Sequence, residues 1–206
     1  MTNFHVPFNA ENAYHIVSRA VGQETLFKEE DNYGFFLMQC QKYILPVCEI
    51  FSYCLMPNHF HFLARVKEVR QIRGHFELKK PKKAFDQDIC SGFIMECFSN
   101  LLNSYCKAFN KRYNRKGSLF ISPLRRVEVR EDEQFWATVF YIHKNPVHHG
   151  YCEQLNQWKW SSYNAFFSRG SSSLNRKYVL DSFGGLQVFK QYHAQPVQLK
   201  KAAILE

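Results

Sequence analysis

Two strand-prone runs, VCEIFSYCLM and HFHFLARV, are separated only by Pro57-Asn58 within residues 47–66. Two residues cannot carry a crossover, so the runs are predicted to pair as an antiparallel hairpin. Side chains alternate along a strand. Phe60, Phe62, Ala64 and Val66 therefore share one face of the second run, and His59, His61, Leu63 and Arg65 share the other. The phenylalanine face calls for a covering layer. The other face presents two imidazoles side by side, which are costly to bury without partners.

The remaining pattern alternates strands and helices. AYHIVSRAV, residues 13–21, reads as a strand, and a helix is expected over 31–44, ended by Pro46. A basic loop follows the hairpin. Residues 88–113 then have helical period, with Ile94, Phe98, Leu101, Tyr105 and Phe109 on one face and Gly117 expected as the cap beyond the end. Val127 and Val129 alternate in a short extended piece. A helix is predicted over 132–144, with Asp132 as its N-cap. Mixed order with hairpin signals points to an α+β sandwich built on an antiparallel sheet. Composition changes after residue 168, where SRGSSSLN reads as a linker, so residues 1–168 are expected to form the main domain and 169–206 a linker and C-terminal extension with one short helix.

With 46% apolar residues and twenty Phe in 206 residues, the chain can bury a real core. No apolar stretch approaches a membrane span, and the start, MTNFHVPFNAEN, does not have the form of a secretory signal, so a cytoplasmic protein is expected. The seven cysteines include no C-x-x-C pair, which suits buried reduced thiols rather than a disulfide or zinc framework. Net charge is +9, and an anionic partner fits it, nucleic acid being the commonest. Residues 67–83 carry seven Lys or Arg against two Glu, and KRYNRK, residues 111–116, carries four around Tyr113.

His59 and His61 can hold a divalent metal, act as acid and base, or simply be half-buried histidines bonded to backbone. A zinc site would need further Cys or His ligands at metal spacing, and none lies nearby. In FYIHKNPVHHG, Tyr141 falls off the buried stripe of Phe135, Val139 and Ile142, and Asn145 follows one turn later on its side. A helical tyrosine is usually a packing residue. Beside a metal it becomes a candidate nucleophile, with the amide oxygen a candidate ligand. Pro146 argues that Asn145 sits at the helix end.

At these residues the chain resembles the HUH single-tyrosine transposases, and within them the branch associated with repetitive extragenic palindromes (REPs). The resemblance rests on YHIVSRA, SYCLMPNHFHFLARV, KRYNRKGSLF, FYIHKNPVHHGY and WKWSSYNAF in that order, spanning residues 14–167. It implies a ferredoxin-like α+β sandwich, a central antiparallel sheet with helices packed on it. It further implies Mg²⁺ or Mn²⁺ held by His59, His61 and Asn145, and Tyr141 as nucleophile, forming a 5′-phosphotyrosine on single-stranded or hairpin DNA. The catalytic set is then Tyr141, His59 and His61. Arg65, Lys107, Lys111, Arg112, Arg115 and Lys116 are the expected DNA contacts. Lys79 to Lys83 could serve equally as DNA contacts or as a disordered loop.

Two departures stand out. Ala20 replaces the usual glycine after Arg19, and His148-His149 replace Arg-Ala; both histidines are expected at the surface, and His143 is expected to miss the site. Two other readings share these residues: a domesticated, non-catalytic hairpin DNA- or RNA-binding protein, and a metal-dependent hydrolase using water. Whether the chain acts as a monomer or a homodimer, and so whether Tyr141 serves its own metal site, stays open at this level.

Overall fold

The computed structural model describes residues 5–195. Strands β1 (Ala13–Arg19), β2 (Cys48–Met56), β3 (His59–Val66) and β4 (Arg125–Val129) form one sheet in the order β2-β3-β1-β4, with every neighbouring pair antiparallel. Helix α1 (Glu30–Tyr43) joins β1 to β2, while α2 (Val69–Lys79) and α3 (Cys90–Arg112) lie between β3 and β4. This order of elements and strands is the split βαβ of a ferredoxin-like sandwich.

One face of the sheet carries Tyr14, Ile16, Phe60 and Phe62, covered by Phe36 of α1 and by Leu101 and Tyr105 of α3. The Phe36 and Phe60 rings lie 5.1 Å apart. Helix α1 begins where Asn32 Oδ1 accepts from the Lys28 and Glu29 amides, satisfying donors that a helix start leaves free. Helix α3 ends in a left-handed residue, as expected, but the residue is Asn114 (φ 48°) rather than Gly117. The Arg115 amide donates back to the Asn110 carbonyl at 2.9 Å, closing a Schellman motif.

The opposite face is covered by α4 (Asp132–His148), α5 (Arg176–Ser182) and α6 (Leu186–His193). Val139 and Ile142 of α4 share that core with Phe51, Met56 and Leu63 of the sheet, and Val179, Phe183 and Phe189 of the extension close it. Strand β2 shows why its sequence looks apolar throughout. A bulge between Ile50 and Ser52 shifts the alternation by one. Phe51 and Cys54, three apart, thus face the same layer, and Ile50 and Tyr53 face the other.

Three elements differ from the sequence-based expectation. The basic segment is not a loop: α2 forms because Ile72 and Phe76, four apart, bury one face, with the Phe76 ring 5.1 Å from Phe93 of α3. The extension contains two short helices, not one, and its residues 196–206 lie outside the described region. Helix α4 has Glu131 as its N-cap, one residue before the expected Asp132, and runs through Pro146 to His148, past the expected end at residue 144. Proline removes only the bond to the Ile142 carbonyl, and the packing on both sides of α4 holds the last turn.

Candidate active site

Strand β3 presents His59 and His61 on the α4 side of the sheet, as its alternation requires. Strand β1 adds His15 on the same face. The register sets His61 opposite Val17 and His15 opposite Leu63, so the two imidazoles are diagonal neighbours across the β1–β3 pair. Helix α4 supplies Tyr141 and, one turn on, Asn145, both buried. The Tyr141 ring meets His15 and His61 edge-on, at 5.8 and 5.6 Å between centroids.

Above these groups opens a cleft of about 600 Å³, whose lining includes His59, His61, Arg19, Arg125, His149 and Tyr151. Tyr141 is 2% exposed and is not part of the cleft wall. Its ring lies beneath the histidines.

The hydrogen bonds assign a role to each histidine nitrogen. His59 Nδ1 lies 2.7 Å from Asn58 Oδ1, an acceptor, so His59 donates there. In the neutral ring Nε2 then carries a lone pair, which faces Asn145 Oδ1 at 3.1 Å. His61 Nδ1 pairs with His15 Nε2 at 2.9 Å, while its Nε2 is buried without a partner, as is Asn145 Nδ2. Burial, with His15, His59 and His149 alongside, holds His61 well below the ordinary histidine value, so its ring is neutral.

This donor set is compatible with a divalent cation. Two acceptor atoms facing each other repel unless a proton or cation lies between them. A separation near 3 Å is what two donors about 2.1 Å from one octahedral ion would have. The unpartnered His61 Nε2 supplies a third donor. Among the described residues no group of three or more His, Cys, Asp or Glu forms a metal site, so the candidate rests on two imidazoles and one amide oxygen.

No family model matches the chain. A protein of Haemophilus influenzae named "Putative REP-associated tyrosine transposase" is 26% identical over 118 residues, which is 56% of this chain and 59% of that relative's length. A solved structure of a REP-associated tyrosine transposase bound to a REP hairpin superposes with a TM-score of 0.56. Its sequence identity is 17%, and the match covers 82% of this chain and 87% of that one. This chain is similar in sequence to a REP-associated tyrosine transposase. Its fold is the one seen in the solved transposase, and the sequence likeness runs over little more than half of the curated transposase's length.

Compared with the DNA contacts that the transposase resemblance implies, the structure separates cations that are engaged from cations that are exposed. Arg65 pairs with Glu49 at 2.7 Å and stacks on Tyr178 of α5, 4.6 Å from the ring centroid. Arg112 bonds Glu29 and Asp31, and Arg115 bonds Glu24 at 2.7 Å as well as the Gly117 and Ser118 carbonyls. Arg65 thus ties β3 to β2 and α5, and Arg112 and Arg115 tie the end of α3 to the start of α1 and the segment before it. Lys107, Lys111 and Lys116 are exposed, with Lys107 in a separate groove between α3 and residues 117–124. None of the six lines the histidine cleft.

The cations that do line it are Arg19 and Arg125, which sequence reasoning passed over. Arg19 is exposed and pairs in register with His59, and Arg125 pairs with Val17. Arg19 shares the strand parity of His15, a local signal, whereas Arg125 comes to that face only through the β1–β4 register. His149, expected at the surface, is exposed but turned over the site, 5.5 Å from the His59 ring. His143 does miss it. Its ring is buried between Ser162 and His193, and burial with His193 beside it pushes its pKa well down. Ala20 is buried at the end of β1, bridged to Phe120. No helix of the described residues is long and apolar enough to cross a membrane.

Proposed function

We propose that this chain is a metal-dependent DNA strand transferase that cleaves and rejoins hairpin-bearing single strands through Tyr141. The observation that carries the reading is His59 Nε2 facing Asn145 Oδ1 at 3.1 Å, with the His61 ring 5.0 Å from that of His59, its Nε2 unpartnered and the Tyr141 ring packed against it. These three atoms would hold Mg²⁺ or Mn²⁺. When bound there, the ion supplies Lewis-acid polarisation of a scissile phosphate.

The chain's own residues do the rest. Arg19 and Arg125 face the cleft as cations for the phosphates, and Tyr151, 48% exposed at its mouth, offers a stacking surface for a base. Tyr141 Oη attacks phosphorus in line. The new P–O bond forms as the phenol proton leaves, the bond to the 3′-oxygen breaks, and that oxygen takes up a proton. The 5′ side stays on the protein as a phosphotyrosine, so the step can be reversed onto a different end. Because Tyr141 is covered in the DNA-free protein, its ring has to turn out from beneath His15 and His61 to reach the strand.

The test is incubation with Mn²⁺ and labelled single-stranded hairpins drawn from the chain's own genomic flanks, followed by a denaturing gel. Wild type is expected to give a labelled band at protein size, absent in Tyr141→Phe, with hairpin binding retained. Binding without adduct in wild type would make the chain a hairpin-binding module. Cleavage that persists in Tyr141→Phe would assign the attack to water.

A further inference from the structure

We infer that His15 is a positioning residue that sets the tautomer of His61, so that a lone pair and not an N–H faces the cleft from Nε2. The inference rests on the metal-site reading above for its consequence, but not for its geometry. His15 Nε2 and His61 Nδ1 are 2.9 Å apart, and both rings are fully buried. Exactly one proton can occupy that contact between neutral rings, which leaves two arrangements.

If His15 donates, neutral His61 carries its proton on Nε2. That atom is buried and has no partner, so an N–H would be stranded there at a cost of about 1–3 kcal/mol. If His61 donates from Nδ1, its Nε2 is a bare acceptor, which is the less costly group to leave unsatisfied. The second arrangement is therefore favoured before any cation arrives, and it is also the one that can bind a cation.

The neighbouring ligand is built the same way. Asn58 Oδ1 accepts from His59 Nδ1 and leaves the His59 Nε2 lone pair pointing at Asn145 Oδ1. Asn58 comes from the β2–β3 turn and His15 from β1, so two different elements do the same job for two ligands two residues apart. An acceptor behind each histidine fixes both ring orientation and basicity. The Tyr141 ring edge rests on His15 and His61 together, so the histidine pair also forms the seat beneath which the candidate nucleophile is held.

The test begins with the metal-free, ¹⁵N-labelled wild-type protein at neutral pH, read by long-range imidazole proton–nitrogen correlations. The expected result is His61 protonated on Nδ1. An Nε2-protonated His61 overturns the inference, and this needs no variant. His15→Leu is then expected to let His61 populate Nε2–H and to weaken Mn²⁺ binding, followed by electron paramagnetic resonance, about 10- to 100-fold. In His15→Gln the side-chain oxygen can accept the same proton, and the tautomer and Mn²⁺ affinity are expected to return close to wild type. A His15→Leu protein with unchanged tautomer and affinity overturns the positioning role. Wild type that shows the Nδ1–H form but binds no Mn²⁺ would sink the metal reading and leave the role of His15 standing.

Discussion

His143 Nδ1 lies 2.9 Å from His193 Nε2, joining the tyrosine helix α4 to the last helix of the extension with both rings out of water. Every proton along this line can be placed. His193 Nδ1 donates to the Phe189 carbonyl, so its Nε2 must accept. His143 then donates from Nδ1 and accepts at Nε2 from Ser162, whose oxygen also takes the Tyr53 amide. Burial pushes both imidazoles toward the neutral form in which this line of protons is laid out. The line docks α6 over α4 and thereby holds from behind the helix that carries Tyr141 and Asn145.

Stability should therefore fall with pH. Burial lowers the His193 pKa to about 4 in the folded protein, below its value near 6.5 in an unfolded chain. The unfolded state binds the proton first as pH drops, so this stabilisation is full above about 6.5 and is lost toward 4. Urea unfolding at pH 7.5 and pH 5 is expected to differ by about 2 kcal/mol from this group. The same pair of measurements on His193→Gln should lose that difference; an equal slope in both proteins would contradict it.

DNA binding should depend on the arginines that line the cleft, Arg19 and Arg125, and not on Arg112, which lies outside it. Arg19→Ala and Arg125→Ala are each expected to weaken hairpin binding and to lower the slope of log affinity against log salt by about 1. Arg112→Ala, which removes only bonds to Glu29 and Asp31, should leave that slope unchanged. The measurement is a fluorescence-anisotropy salt series. A slope change confined to Arg112→Ala would restore the basic segment at residues 111–116 as the binding surface.

Asn145 should act through its oxygen. Asn145→Ala is expected to weaken Mn²⁺ binding by about tenfold or more, since the His59 Nε2 lone pair loses the facing donor. Asn145→Asp places a carboxylate there and should bind more tightly. Calorimetric Mn²⁺ titration of the three proteins decides, and equal affinities would remove Asn145 from the ligand set.

The reverse face of β3 should matter for stability alone. Phe60 is fully buried against Phe36, Phe62 and Phe120. Phe60→Ala is expected to cost about 3–5 kcal/mol in urea unfolding. Below its unfolding transition the variant should still bind Mn²⁺ like wild type, because His59 and His61 point the other way. Loss of metal in a folded variant would show that the two faces are not independent.

Most of the sheet and its partition into faces could be read from residues close in sequence. The two-residue turn at Pro57-Asn58 forced the hairpin, the period of two put Phe60 and Phe62 opposite His59 and His61, and the period of 3.6 set Tyr141 and Asn145 on one side of α4. Such patterns are local, because a backbone of given geometry repeats over a few residues. The family likeness, too, came from short ordered motifs.

Only the tertiary structure decided which distant groups meet. His15 joins His61 across 46 residues because β1 and β3 pair in one register, and a shift by one would turn His15 into the core. Arg65, Arg112 and Arg115 looked like free cations until Glu49, Glu29 and Glu24 came alongside them. Helix α2 is held by Phe76 against Phe93, and α4 is buried on both sides because the extension folds back onto it. Charge and periodicity are properties of a segment. Which charge is neutralised, and which face is covered, depends on packing between segments that the local pattern does not encode.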